Sequence, residues 1–160
     1  MTAPALSRLC PHVATRSFRS GHRHLDLDLK AYAKAFNDGD ETVVFVLVEE
    51  GQVIAYVAIS DLVLVHQDRG PVRCFAIPAI AVDEEHRGSN SAMRLANRAR
   101  RVLDLRQEAH LEAQSTLRYD GVACVPWTKR LSEALERLGF EPVDGEIWWF
   151  RPWPFESRST

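Results

Sequence analysis

The sequence predicts an α/β chain of the α+β kind, one domain in which helices flank a central mixed, mostly antiparallel sheet. Three observations carry this. Apolar residues recur at helical spacing in three stretches. β-rich runs alternate with those stretches, in the order helix, hairpin, strand, helix, strand, helix, strand. The chain has 160 residues, 46% of them hydrophobic, which suits one domain with its own core.

The first residues are basic. Arg8, Arg16, Arg19 and Arg23 stand among several Ser and Thr with no acid, so residues 1–24 read as a basic leader running into the fold, and residues 25–160 as the domain. The same composition also resembles a transit peptide. Leu25, Leu29, Tyr32, Ala33 and Phe36 share one face of a helix over "HLDLDLKAYAKAF", although "LDLDL" alone would fit a strand. "ETVVFVLVEEGQVIAYVAISDLVLV" is two β-rich runs about "EEGQ", and Gly51 makes it a hairpin. "VRCFAIPAIAV" is apolar on both faces, the pattern of a covered central strand.

Next comes "HRGSNSA", His86 to Ala92, and then a helix with an apolar stripe of Leu95, Ala99 and Val102 with Met93, Ala96 and Leu103. Arg94, Asn97, Arg98 and Arg101 lie off that stripe. "YDGVACVPW" is a further strand. "TKRLSEALERLGF" is a short helix, with Thr128 suited to cap its start and Gly139 to stop it. "EIWWFRPW" is the last strand.

Net charge is −2, which implies no bulk attraction to nucleic acid. Cys10, Cys74 and Cys124 are odd in number and far apart, with no CxxC pair, so a disulfide framework or zinc knuckle is not expected and a reducing cytoplasm fits. No apolar run approaches a membrane span. His22 and His24 have a ligand-like spacing, but no metal is expected.

The loop carries the chemistry. Small residues between a strand and a helix let the backbone approach a ligand closely. The first N–H groups of a helix have no internal partner, and its dipole favours anions there. Together they describe a phosphate or pyrophosphate cradle, to which Arg87 adds charge. A tight turn with Ser or Asn capping the helix accounts for the same residues.

"IAVDEEHRGSNSAMRLANRA" resembles the acetyl-CoA-binding motif of the GNAT N-acetyltransferase superfamily: an apolar strand, then Arg or Gln, two residues, Gly, one residue, Gly or Ala. Arg87 sits at the Arg/Gln position and Ala92 at the last small one. "EALERLGFEPV" is similar to the family's later motif, a short helix ending in Gly-Phe. The resemblance spans roughly Thr42 to Val143. "SFRSGHRHLDLDLKAYAKA" resembles the opening of the toxin-like branch, which modifies aminoacyl-tRNA.

The resemblance implies roles by position. The backbone of Ile80, Ala81 and Val82 would hold the pantetheine arm of acetyl-CoA. The backbone N–H groups of Gly88, Ser89, Asn90, Ser91, Ala92 and Met93 would hold its pyrophosphate, where a bulky side chain would be in the way. Thr128 stands where the family often has Asn. The chain also departs from the pattern. Asn90 replaces the central Gly, though Asn enters the left-handed region at modest cost. Leu135 replaces the Tyr that serves many members as general acid. On the strand before the loop, Cys74, Ala76 and Pro78 share a face and none is a convincing base.

The side chains left for catalysis are Asp61, which would steer a cationic amine, and Cys124, if it faces the cleft. Each has a plainer reading, a solvated carboxylate and a buried thiol. Trp148, Trp149, Phe150 and Trp153 suit a half-buried strand, and also a self-association surface such as a homodimer's, or an acceptor-pocket wall. The arginines of the long helix suit a solvated face or an RNA patch. The expected function is transfer of an acetyl or other acyl group from acetyl-CoA to a small-molecule or peptide amine, weakly if the missing Tyr matters. The alternatives are a GNAT-fold binding protein without catalysis and a toxin-like enzyme acting on charged tRNA.

Overall fold

The structure, a computed structural model, describes residues 4–10, 13–35, 42–88, 90–114 and 118–154. Its strands are β1 (Ala5–Arg8), β2 (Val43–Glu49), β3 (Gln52–His66), β4 (Gly70–Val82), β5 (Gly121–Cys124), β6 (Glu141–Pro142) and β7 (Trp149–Pro152). Its helices are α1 (Arg23–Ala35), α2 (Ser91–Glu112) and α3 (Lys129–Arg137), with a 3-10 turn at Glu84–His86.

Glu50 and Gly51, at φ 52° and 75°, make the two-residue turn that folds β2 back on β3. Positive φ at both centres matches the right-handed twist of the strands they join. The sheet order is β1-β2-β3-β4-β5-β7-β6. The β1·β2, β2·β3, β5·β7 and β6·β7 pairs are antiparallel, and β4·β5 is parallel. The architecture is thus a mixed, mostly antiparallel sheet flanked by helices, with the apolar "VRCFAIPAIAV" run at its middle. Two strands were not read from the sequence: β1, which pairs with β2 through Ala5↔Val48 to Arg8↔Phe45, and the two-residue β6.

The chain divides into two compact units, Met1–Ile59 with Ala79–Val102, and Ser60–Pro78 with Leu103–Thr160. In the first, Leu25 and Leu29 of α1 are buried while Leu27 is half exposed, so the "LDLDL" stretch presents a helical face. A strand would have turned all three leucines the same way. The Tyr56 hydroxyl donates to the Leu25 carbonyl at 2.6 Å, and the Phe18 ring meets Tyr56 edge-on at 5.6 Å. These contacts fix α1 and the segment before it on β3. The second unit packs Leu64, Val72, Cys74, Ala123, Val143 and Phe150 into one cluster, with Leu62 and Trp148 against it.

On α2 the buried stripe is Leu95, Ala99, Leu103 and Gln107, a spacing of four. Met93 and Ala96, expected on the stripe, are exposed because they fall outside that line. Arg94 reaches the Pro4 carbonyl at 2.9 Å, and the Arg98 guanidinium lies 5.0 Å from the Phe45 ring centre.

Candidate active site

Asp83 directly follows β4 and is buried. Its carboxylate accepts from the Arg19 N–H at 2.9 Å and the Glu85 N–H at 3.0 Å, while its own N–H donates to the Ile54 carbonyl at 2.8 Å. Burial alone would raise its pKa, but the two backbone N–H groups and His86 outweigh this and hold it below the usual Asp value. His86 Nε2 lies 2.8 Å from Glu49 and Nδ1 3.5 Å from Asp83. The Glu49 contact leads in raising its pKa. The chain therefore enters the small-residue loop from a fixed point. Asp83 before "EEH" is itself a cap signal in the sequence, since its side chain accepts from the Glu85 N–H.

Arg87 comes next. Its Nη2 donates to the Ser20 carbonyl, and Glu84 lies 4.0 Å away, yet its side chain is 57% exposed, so part of the guanidinium still faces solvent. A Cβ at Gly21 would stand 2.7 Å from Arg87 Nη2 and 2.6 Å from Glu84 Oε1, so Gly21 leaves room for this contact. Gly88 carries the left-handed backbone, at φ 83°, and a Cβ there would meet nothing within 4 Å. Ser89 lies outside the described residues. The Asn90 carbonyl accepts from the Arg94 N–H at 3.0 Å, which makes Asn90 the residue at the mouth of α2. Behind it, Ser91 is buried, whereas Ala92 and Met93 are exposed in the first turn. N–H groups of a first turn have no acceptor within their own helix.

The edge of β4 is also set. The Asp83 N–H points to β3, and the Pro78 carbonyl accepts from Trp127 Nε1 at 2.7 Å. Backbone groups of successive strand residues alternate between the two edges. Along β4 the odd residues do not keep one edge: the Asp83 N–H turns to β3, whereas the Arg73 N–H and carbonyl both meet Asp120, next to β5. The β4·β5 ladder ends at Ile77↔Cys124. Pro78 has no N–H of its own to continue that ladder.

In the second unit the chain leaves β5 through Val125 and Trp127, whose N–H donates to the Val125 carbonyl at 3.0 Å. The Thr128 hydroxyl then accepts from the Leu131 N–H at 3.1 Å and caps α3. Thr128 thus has the capping role read from the sequence. Leu135 is buried and apolar, and its side chain has no proton to give. Cys124 is buried, and that burial pushes its thiol up to about 12, the wrong direction for a nucleophile. Asp61 takes a 2.5 Å hydrogen bond from the Tyr119 hydroxyl, with Arg73 at 3.0 Å and Arg106 at 3.6 Å. Two guanidiniums leave no net negative charge there to draw in an amine. Trp148, Trp149 and Trp153 are half-buried beside buried Phe150, as on a half-buried strand.

A cavity of about 600 Å³ in the second unit lies beside Arg69, Tyr119, Asp120 and Trp153, and of the residues singled out from the sequence it contains Trp153. One of about 400 Å³ in the first unit lies between Arg19, Arg23, Lys30 and Glu84. Among the described residues no cluster of His, Cys, Asp or Glu is arranged for a metal ion, and no helix is long and apolar enough to cross a membrane.

The family described as Acetyltransferase (GNAT) matches residues 10–119. No curated protein matches the chain. Several solved structures share the fold. A tyrosine mutant of KacT aligns with a TM-score of 0.71 at 15% identity, over 94% of this chain and 95% of that one. A mutant AtaT toxin bound to acetyl-CoA and the C-terminus of the antitoxin AtaR gives 0.72 at 16%, over 94% of each. AtaT complexed with acetyl-methionyl-tRNAfMet gives 0.67 at 16%, over 92% of this chain and 94% of that one.

Proposed function

The chain belongs to the Acetyltransferase (GNAT) family and is an acyltransferase that takes acetyl-CoA as co-substrate; we propose that it binds acetyl-CoA along the last residues of β4, past the end of the β4·β5 ladder, and at the first turn of α2, and passes the acetyl group to an amine. One observation carries this placement. A strand edge with Ile80 and Val82 runs, through the fixed turn at Asp83, into a loop whose Gly88 is open and whose helix start exposes Ala92 and Met93. Among the described residues nothing beyond its chain neighbours lies within 4 Å of a Cβ at Gly88, and Ser91 and Ala92 are small, which supports a pyrophosphate there.

Arg87 supplies positive charge beside that cradle while the Ser20 carbonyl holds it in place. Bound acetyl-CoA supplies a thioester carbonyl open to attack by an amine. A β4 backbone N–H such as that of Ile80 would donate to that carbonyl oxygen and stabilise the negative charge that grows on it. The amine nitrogen forms a bond to the carbonyl carbon, the carbon–sulfur bond breaks with its electron pair on sulfur, and the thiolate takes a proton from water or from the ammonium just formed. Leu135 cannot give that proton, and Cys124 and Asp61 are committed elsewhere. A positioned acid typically contributes about 10²–10⁴-fold, so slow turnover is expected.

The α-amino group of a charged tRNA is the second reading of the acceptor. It is favoured by the likeness to AtaT, whose structure with acetyl-methionyl-tRNAfMet shares the fold. The test is calorimetry with acetyl-CoA, then a thiol-release assay with amines, peptides and charged tRNA. Binding followed by release with one acceptor class supports the reading and names the class. Absence of binding overturns the placement, and binding without release from any acceptor leaves a CoA-binding protein that does not catalyse.

A further inference from the structure

Arg87 borders two places in the first unit. In the chain it leads into Gly88 and the start of α2, where the pyrophosphate is proposed to lie. In space its guanidinium donates to the Ser20 carbonyl and lies 4.0 Å from Glu84. A Cβ at Gly21 would stand 2.7 Å from its Nη2. Gly21 and Glu84 both line the cavity of about 400 Å³, so that cavity begins where the cofactor loop begins.

The cavity is basic. Arg23, Leu27 and Lys30 follow one another on one face of α1 and give it a wall, and Arg19 lines it too. Its two acids, Asp26 and Glu84, are already engaged. Asp26 accepts from the Ser20 N–H at 2.9 Å and from the Ser20 hydroxyl at 2.6 Å, and Glu84 sits beside Arg87. The Arg19 guanidinium is steadied by the Arg16 and Phe18 carbonyls, at 3.2 and 3.1 Å, and has further N–H groups to give. Among the described residues, the side chains of Arg23 and Lys30 have no ion pair or hydrogen bond. Cations gathered around one space repel each other, and an anion placed between them turns that repulsion into attraction.

We infer that this cavity takes the 3′-phosphate of acetyl-CoA, with Arg23 and Lys30 as the residues that distinguish the coenzyme from its 3′-dephospho form. The inference rests on the acetyl-CoA placement. The coenzyme carries its 3′-phosphate on the same ribose whose 5′ carbon bears the pyrophosphate, so this group lies one sugar away from the Gly88–Met93 cradle. It is a phosphate monoester, with a charge of about −1.5 to −2 near neutral pH and three strong acceptor oxygens. Backbone N–H groups suffice for the pyrophosphate, whereas a monoester of higher charge is matched by side-chain cations that reach it from different directions.

The test measures affinity by calorimetry for acetyl-CoA and for 3′-dephospho-acetyl-CoA, on the wild type, Arg23→Gln and Lys30→Gln. The wild type is expected to bind acetyl-CoA at least about tenfold more tightly than the dephospho form. Each variant should lose several-fold affinity for acetyl-CoA and keep its affinity for the dephospho form, so that the ratio falls toward one. Equal affinity of the wild type for the two forms overturns the inference without any variant. So does a loss in the variants that is the same for both forms, because a general effect of charge on the cofactor loop would not single out the 3′-phosphate. If a Gln variant does not melt cooperatively, the Met variant at that position, which keeps an unbranched stem without charge, is measured in its place. Failure of the wild type to bind either form is a different result, since it overturns the placement of acetyl-CoA itself.

Discussion

Ala92 stands exposed in the first turn of α2, where a carboxylate has two separable effects. A Glu near a helix N-terminus interacts favourably with the dipole, by about 0.3–1 kcal/mol, so Ala92→Glu should leave the melting temperature unchanged or slightly raised. The same carboxylate would lie against a bound pyrophosphate, and acetyl-CoA affinity should fall by at least about tenfold, or ~1.4 kcal/mol. Calorimetry beside a thermal melt reads both, and undiminished affinity would refute the cradle. Ser91 is the poorer choice for this test because it is buried, and a Glu there would disturb the core as well. The pattern of small residues after Arg87 was legible in the sequence because it is local. That the Arg87 guanidinium docks on the Ser20 carbonyl was not, since nothing in either segment announces a partner so far along the chain.

Among the elements, α3 was the most legible. Its cap, its length and its Gly stop are all local signals, and the helix runs Lys129–Arg137 with Thr128 as cap and Gly139 at φ 88°. Thr128→Ala should therefore cost about 1 kcal/mol in urea unfolding, through loss of the cap to Leu131 N–H. Leu135 is the one residue of α3 that is buried, so Leu135→Ala should cost roughly 2–5 kcal/mol in the same measurement. A Leu135→Ala midpoint equal to that of the wild type would mean that α3 is not held by this contact. β1 was illegible for the opposite reason. All four of its residues are exposed, so it has no alternation to read and is a strand only because β2 offers it an edge. The stripe on α2 was misread at Met93 and Ala96 because Ala and Met suit a core or a surface equally, and only packing separates them.

For the chain as a whole, the Glu49–His86–Asp83 group makes stability depend on pH, and the signs differ for the two titrating partners. The folded state raises the His86 pKa, chiefly through Glu49, so its contribution is complete below the ordinary His value of about 6.5 and fades as pH rises through the raised value. Burial works against the Asp83 carboxylate, but the Arg19 and Glu85 N–H groups and His86 prevail and lower its pKa. Its contribution is therefore present above the ordinary Asp value of about 3.9 and is lost as pH falls through the lowered one. Between those limits both act together, and on the alkaline side His86 lets go first. Urea midpoints should then be higher at pH 6 than at pH 8. The buried Cys74 and Cys124 thiols, both pushed up to about 12, add alkaline losses of their own when unfolding frees them to ionise. A comparison with Glu49→Gln separates the two sources. That variant keeps the cysteines and removes the main partner that raises His86, so its drop between pH 6 and pH 8 should be smaller than the wild type's. If the two proteins lose the same stability over that interval, His86 does not hold its proton through Glu49, and the turn into the cofactor loop is fixed by the Asp83 backbone contacts alone.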